Sequence, residues 1–318
     1  MLSALIVWTL LLAPPPGRQR SLGASDLEQL RVCSERPAPT RDIPLAGQLR
    51  WRRLGGGDVG EAAGPRADPY LWLPDDGGLP EGHLLLSFDD GPDRRATPRI
   101  RAVLAACGIR AHFFVPGTRL VGPGGAWART EVTGLVAEGH VVGSHSHRHP
   151  SFSRQLLFRK QRHREIQRGH EHLRRALGAP VDLFRLPYGD GADDSVVLLA
   201  VWEMGLVNMH WNLRSGDTRD LDTRAPGFQG LSPARLQAQV MRSLERSRRA
   251  GERLGHGIVT FHDTNYRTAL MLPALLGHLV AEGYTFVRLV GPAISRQGEE
   301  PPSRLPPRPG AGLSTGSP

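Results

Sequence analysis

A distorted (β/α) barrel of mainly parallel strands, with irregular extensions at both ends, is the fold class this sequence predicts. Two observations carry the prediction. Between about residue 80 and residue 290, short apolar runs alternate with longer helix-like segments, and that alternation builds a parallel sheet covered by helices. Outside that span the periodicity fades and Pro, Gly and Arg take over, which marks extensions rather than packed elements.

In chain order, the first element is an apolar run from Ala4 to Ala13. It is too short to span a bilayer comfortably and has the character of a signal-peptide core. Residues 1–20 are therefore read as a possible signal peptide or membrane anchor, and the protein as exported to the periplasm, cell envelope or exterior. Residues 21–79 are read as an irregular N-terminal extension and 291–318 as a disordered Pro-rich tail,. Within 80–290 the strand-like runs are LLLSF, AHFFV, HVVGS, LFRLP, LVNMHW, GIVTF and YTFVRLV. The helix-like segments begin at TPRIRAVLAACG and end at LMLPALLGHLVAEG, and several stop at Gly as helices often do,.

Composition narrows the function. The formal charge of +9 comes almost wholly from Arg, since Lys160 is the single lysine. A basic surface suits an anionic polymer, but the basic residues are scattered and no zinc-finger or RNA-binding signature is present,. Nucleic acid is accordingly not expected as a partner, and no protein partner is evident. The two cysteines, Cys33 and Cys107, exclude a disulfide-rich scaffold and a four-cysteine metal site,. Cys107 lies in a helical pattern and reads as a small buried hydrophobe.

Chemistry gathers where strands end. In LLLSFDDGP (84–92), Gly91 and Pro92 force a turn after Asp89 and Asp90,. Two adjacent carboxylates repel unless a cation or a shared proton relieves them. In GSHSHRHP (143–150), three histidines alternate. A turn there brings His145 and His149 together at a four-residue spacing and sends His147 elsewhere, and Pro150 opposes a helix. Two His and one carboxylate leave a zinc ion a position for water; a solvated histidine loop is the plainer alternative. LFRLPYGD (183–190), HWNLRSGDTRD (210–220) and GIVTFHDT (257–264) each follow an apolar run.

This set, in this order, resembles the polysaccharide deacetylases, also called the NodB-homology domain or carbohydrate esterase family 4, over roughly residues 80–290. The resemblance implies a catalytic domain there, with Asp89 as general base and Asp90, His145 and His149 as metal ligands. It further implies that Arg185 holds the Asp89 carboxylate and that the Tyr188 backbone N–H faces the oxyanion. His262 would be the general acid, oriented by Asp217. Zinc is the metal expected first, with cobalt, nickel or manganese as substitutes. The substrate implied is a polysaccharide or amino sugar, losing N-acetyl or another acyl group.

Three positions depart from the family pattern. Arg214 stands where an aspartate is usual, Thr218 where a tryptophan is usual, and Thr260 where an aliphatic residue is usual. The last two help form the apolar pocket for the acetyl methyl. Trp211 reads as a core residue and His112 as packed beside its strand. His147, His163, His170 and His172 read as surface residues, and Asp263 as a second candidate beside His262 or a turn cap. Two rivals remain: a deacylase of a lipid-linked sugar or small amide, separable by a substrate panel, and a decayed, non-catalytic glycan-binding module, which would bind without turnover.

Overall fold

The computed structural model describes residues 22–48, 50–53, 69–152, 159–192, 194–218 and 232–291. The chain enters through α1 (Ala24–Gln29), α2 (Arg31–Glu35), β1 (Arg41–Pro44) and α3 (Leu45–Gln48). An antiparallel pair follows, β2 (Arg50–Arg53) with β3 (Pro69–Trp72). Strand and helix then alternate: β4 (His83–Asp89), α4 (Ala96–Ala106), β5 (His112–Val115), α5 (Gly125–Ala137), β6 (Val141–Ser144), α6 (Arg159–Leu177) and β7 (Leu183–Phe184). The order continues with α7 (Ser195–Glu203), β8 (Val207–Asn208), β9 (Leu213–Arg214), α8 (Pro233–Ser247), β10 (Gly257–His262), α9 (Tyr266–Glu282) and β11 (Thr285–Val290).

Helix ends follow their residues. The Asp93 carboxylate accepts from the Arg95 and Ala96 amides at the start of α4. Ser232 caps α8 ahead of Pro233, and Asn265 caps α9,. Gly283, at φ 90°, ends α9 in the left-handed conformation that glycine adopts freely,.

The main sheet runs β9–β10–β4–β5–β6–β7–β8, and every ladder in it is parallel. β11 pairs with the first residues of β4 and carries β1 on its other edge. The sheet is strongly curled. β7 lies three ladders from β4, about 14 Å in a flat sheet, yet Arg185 beyond β7 bonds Ser87 on β4 at 2.8 Å. Among the described residues no ladder joins β8 to β9, so hydrogen bonds do not close the ring there.

Alternation along the strands splits the interior into two cores. Leu84, Leu86 and Phe88 of β4, with Val259 and Phe261 of β10, pack outward against Ile100, Leu272 and Leu276 of the helices. Leu85 and Ile258 point inward with Phe114, Leu183, Met209 and Leu289. The same inward face continues to the C-terminal strand ends as Ser87, Asp89, Thr260 and His262. The barrel is thus plugged with hydrocarbon at one end and polar at the other.

Three expectations are corrected. Residues 22–48 are not irregular: α1 and α2 pack on α9, and β1 extends the sheet. Leu30 is buried there, Asp26 pairs with Arg99 at 2.6 Å, and a Cβ on Gly277 would meet the Gln29 carbonyl at 2.2 Å. These contacts are long-range and leave no local periodicity to read. Cys107 is buried but is not a free thiol; it is disulfide-bonded to Cys33, 74 residues away. His147 and His170 are buried rather than at the surface, because Gly169 of α6 approaches the Ser146 backbone so closely that a Cβ would sit 2.2 Å from its carbonyl oxygen. No helix among the described residues is long and apolar enough to cross a membrane; the apolar run at Ala4–Ala13 and the tail beyond Gly291 lie outside those residues.

Candidate active site

Asp89 ends β4 and is 3% exposed. Arg185, fully buried, donates to its Oδ1 at 2.8 Å through Nη1. The guanidinium is itself fixed by the Met209 and His210 carbonyls and by Ser87, and it lies 4.1 Å over the Phe114 ring. Burial alone would push the Asp89 carboxyl up. Arg185, with His145 and His262, overrides this and holds it below the usual carboxylate range,. Thr260 Oγ1 donates to the other oxygen, Oδ2, at 3.2 Å.

Asp90 turns away at φ 76°. Its turn is pinned by Arg119, whose Nε donates to the Asp90 carbonyl at 2.9 Å, and by Asp263. A Cβ on Gly91 would lie 2.0 Å from the Asp263 carboxylate, so glycine is required at that position. Asp263 is buried, accepts from the Thr97 hydroxyl at 2.6 Å, and is pushed up to about 7 by burial. It is a framework residue beneath the turn rather than a second acid.

His145 and His149 converge on Asp90, with Nε2 atoms 3.5 Å and 3.1 Å from its Oδ1. Ser146 makes this possible: at φ 62° it bends the loop, and its Oγ accepts from the His149 amide at 3.1 Å. His147 points the other way and stacks on His172, ring centroids 5.1 Å apart. One candidate ligand atom from each of Asp90, His145 and His149 lies within 4.8 Å of the others. His145 Nδ1 donates to the Arg185 carbonyl at 2.8 Å, a bond that in the neutral ring turns the Nε2 lone pair towards Asp90. Asp90 Oδ1 is buried and accepts no hydrogen bond among the described residues. Two imidazoles and a carboxylate oxygen facing one another across about 3 Å in a half-buried pocket suit a cation, so the residues present fit a divalent metal,.

His262 ends β10 beside Asp89 in register. Its Nδ1 lies 2.8 Å from Asp217 Oδ1, and its amide donates to Asp217 Oδ2 at 2.7 Å. Asp217 is also held by Ser215, Thr268 and, through its carbonyl, Asn265. Burial opposes a charged imidazole, but Asp217 raises His262 to about 9, so it is protonated at neutral pH. Tyr188 sits at φ 61° between Pro187 and Gly189; the residue is 62% exposed, with its ring edge-on to His149 at 4.6 Å.

Every residue singled out from the sequence as catalytic or ligating therefore meets at the polar end of one barrel. Ser87, Thr97, Ser215, Asn265 and Thr268 were missed, because hydroxyls and amides that support a site have no motif of their own. Trp211 is half-buried rather than core, 5.4 Å from the Arg185 guanidinium. His112 is fully buried beside its strand, and burial pulls it down to about 3.

Fold and site together define a class: a parallel α/β barrel with a carboxylate–histidine triad and a polar dyad at the C-terminal strand ends. Residues 76–207 match the polysaccharide deacetylase family. It is 29% identical over 206 residues to the peptidoglycan-N-acetylglucosamine deacetylase PgdA of Listeria monocytogenes, covering 65% of this chain and 38% of that protein. It is 33% identical over 157 residues to the chitooligosaccharide deacetylase of Sinorhizobium fredii, covering 48% of this chain and 65% of that one. The solved peptidoglycan deacetylase Bd3279 of Bdellovibrio bacteriovorus superposes with a TM-score of 0.55 at 25% identity, over 80% of this chain and 59% of that structure. The chain thus spans less than two thirds of the length of these relatives.

Proposed function

We propose that this protein is a metal-dependent hydrolase that removes N-acetyl or related acyl groups from a polysaccharide. One observation carries the reading. A half-buried triad fit for a cation stands beside a carboxylate held ionised by Arg185 and a histidine held protonated by Asp217. A base and an acid with separated pKa values on neighbouring strands are what amide hydrolysis at neutral pH requires.

Asp90, His145 and His149 would hold the cation, zinc first,. When bound, the metal supplies a more acidic water and a polarised acyl carbonyl. Asp89 takes the proton of the attacking water, with Arg185 and Thr260 keeping its oxygens in place. As the new C–O bond forms, negative charge builds on the acyl oxygen, and the backbone N–H of Tyr188 is the donor assigned to it. His262 then gives its Nε2 proton to the sugar nitrogen as the C–N bond breaks, which releases acetate and a free amine. Asp217 keeps Nδ1 bonded throughout and so fixes which nitrogen carries the mobile proton.

The catalytic unit proposed is residues 80–290, with 21–79 ahead of it and 291–318 behind. The Cys33–Cys107 disulfide supports an exported protein, since such bonds persist in oxidising compartments,. The test is acetate release from N-acetylated oligosaccharides by the metal-loaded chain. Release that disappears on Asp89→Asn is expected; undiminished release by that variant overturns the reading.

A further inference from the structure

Two loops that meet at the site are fastened to the fold differently. The loop after β6 carries His149. Gly117 and Thr118 donate their amides to its Ser146 and His147 carbonyls, each at 2.9 Å. The Arg148 amide and Nε donate to Glu165, a buried carboxylate on α6, at 2.8 Å and 2.7 Å. The loop after β7 carries Tyr188. Its turn bonds are local, with Gly189 and Asp190 donating to the Leu186 and Pro187 carbonyls at 3.0 Å. Tyr188 stands at φ 61°, which a residue with a side chain keeps only when its surroundings hold it there,.

The ligand loop supplies that hold, because the two loops touch in step. His149 meets Tyr188, ring against ring, at 4.6 Å. Ser151 meets Asp190, its Oγ donating to Oδ2 at 2.6 Å. Phe152 meets Gly191, where an added Cβ would lie 2.9 Å from the phenylalanine Cβ. Phe152 is fully buried, so the far end of this contact is packed core. The polar contact of the three is Ser151 with Asp190, and a hydroxyl on a carboxylate at that length is a charge-assisted bond. Asp190 is half-buried and stands two residues from Tyr188.

We propose that Ser151 and Asp190 form a latch that hangs the Tyr188 turn on the metal-ligand loop, which makes Asp190 a positioning residue for the Tyr188 backbone N–H. This rests on the proposed deacylase reading for the task of that N–H. The latch acts unequally on the two loops. Broken, it frees the Tyr188 turn, whereas His149 stays where Ser146 and the Arg148–Glu165 bonds keep its loop. Oxyanion stabilisation should therefore fall while metal binding does not, two properties that a general loss of structure would change together.

The experiment compares the full chain with its Ser151→Ala and Asp190→Ala variants. It reads zinc affinity of the stripped protein by calorimetry, kcat and KM of the zinc-loaded protein on N-acetylchitooligosaccharide, and hydrogen exchange of residues 186–191. Each variant is expected to exchange faster in that segment and to lose about tenfold in kcat, less than outright removal of an oxyanion donor. KM and zinc affinity are expected to stay at their wild-type values, as for an interaction used only in the transition state. The double variant is no worse than either single one, since both remove the same bond. Ser151→Thr keeps the hydroxyl and restores kcat. In a chain that releases acetate, zinc affinity that falls with kcat, or kcat that stays at its wild-type value, overturns the proposal; so does unchanged exchange in 186–191. Faster exchange in the variants of a chain that releases no acetate keeps the latch and sinks the deacylase. Wild-type acetate release by Ser151→Ala, with exchange unchanged, does the reverse.

Discussion

On β4, Leu84, Leu86 and Phe88 face the helices, whereas Leu85, Ser87 and Asp89 face the inside of the barrel. β10 divides in the same way, with Val259 and Phe261 outward and Ile258, Thr260 and His262 inward. The outer face is continuous hydrocarbon, including the stacked rings of Phe88, Phe113 and Phe261. The inner face changes from hydrocarbon at Leu85 to buried charge at Asp89 through a single intervening inward position, Ser87. Backbone strain follows the same division. Asp90, Ser146, His149 and Tyr188 hold φ between 59° and 76°, at about 1–3 kcal/mol each, and all stand at the polar strand ends. The outer layer supplies stability, and the inner layer uses it to keep strained loops and buried charges in place.

The largest effect should come from the inner face. Asp89→Asn is expected to lower acetate release about a thousandfold, within the range for a general base. It should also lower the melting temperature, because Arg185 is left buried and uncompensated,. Replacing both, Asp89→Leu with Arg185→Met, should recover the lost stability and none of the activity, as measured by thermal melts beside the assay. Stability unchanged by Asp89→Asn would break the comparison.

Next is the His262–Asp217 pair. His262 is raised to about 9, so activity that needs its proton should hold through neutral pH and fall as pH rises through about 9. The stabilising part of this shift is present below the ordinary imidazole range, about 6.5, and is lost over the same rise. Asp217 is held below its usual range, despite burial, chiefly by His262, so its share disappears only in acid. Asp217→Asn should move the alkaline limb of the pH–rate profile down towards about 6.5 and reduce the neutral rate about a hundredfold. A limb that stays near 9 removes His262 from the role.

The outer face should respond in the opposite way. Serine at Cys33 and Cys107 should cost about 2–4 kcal/mol of unfolding free energy in denaturant and leave kcat and KM unchanged, since the bond ties α2 to α4 away from the strand ends. The smallest change expected is Thr260→Val, which loses one hydrogen bond to Asp89 Oδ2, worth about 1 kcal/mol. That corresponds to roughly a fivefold lower kcat, with Thr260→Ser restoring it.

The same division explains what the sequence disclosed. Asp89, Asp90, His145, His149, Arg185 and His262 were legible because chemistry demands those residue types next to strand ends, and strand ends show as apolar runs stopped by Gly or Pro. Asp217 was legible through the resemblance, since carboxylates also occur in ordinary turns. Thr268 and Asn265 were not, because their role depends on where α9 starts relative to Asp217. The docking of residues 22–48 was hidden for a related reason. Its determinants are Gly277, Arg99 and Cys107, each far along the chain and unremarkable where it stands. Burial of His147 likewise depends on the close approach of Gly169.

The most direct test of the account is metal titration of the stripped chain, reading zinc bound by calorimetry and acetate released in the same samples. The account predicts one equivalent of zinc restoring full activity, with His149→Ala losing both together at unchanged fold. Acetate released at full rate by the stripped chain, or one equivalent of zinc still bound tightly by His149→Ala, would contradict it.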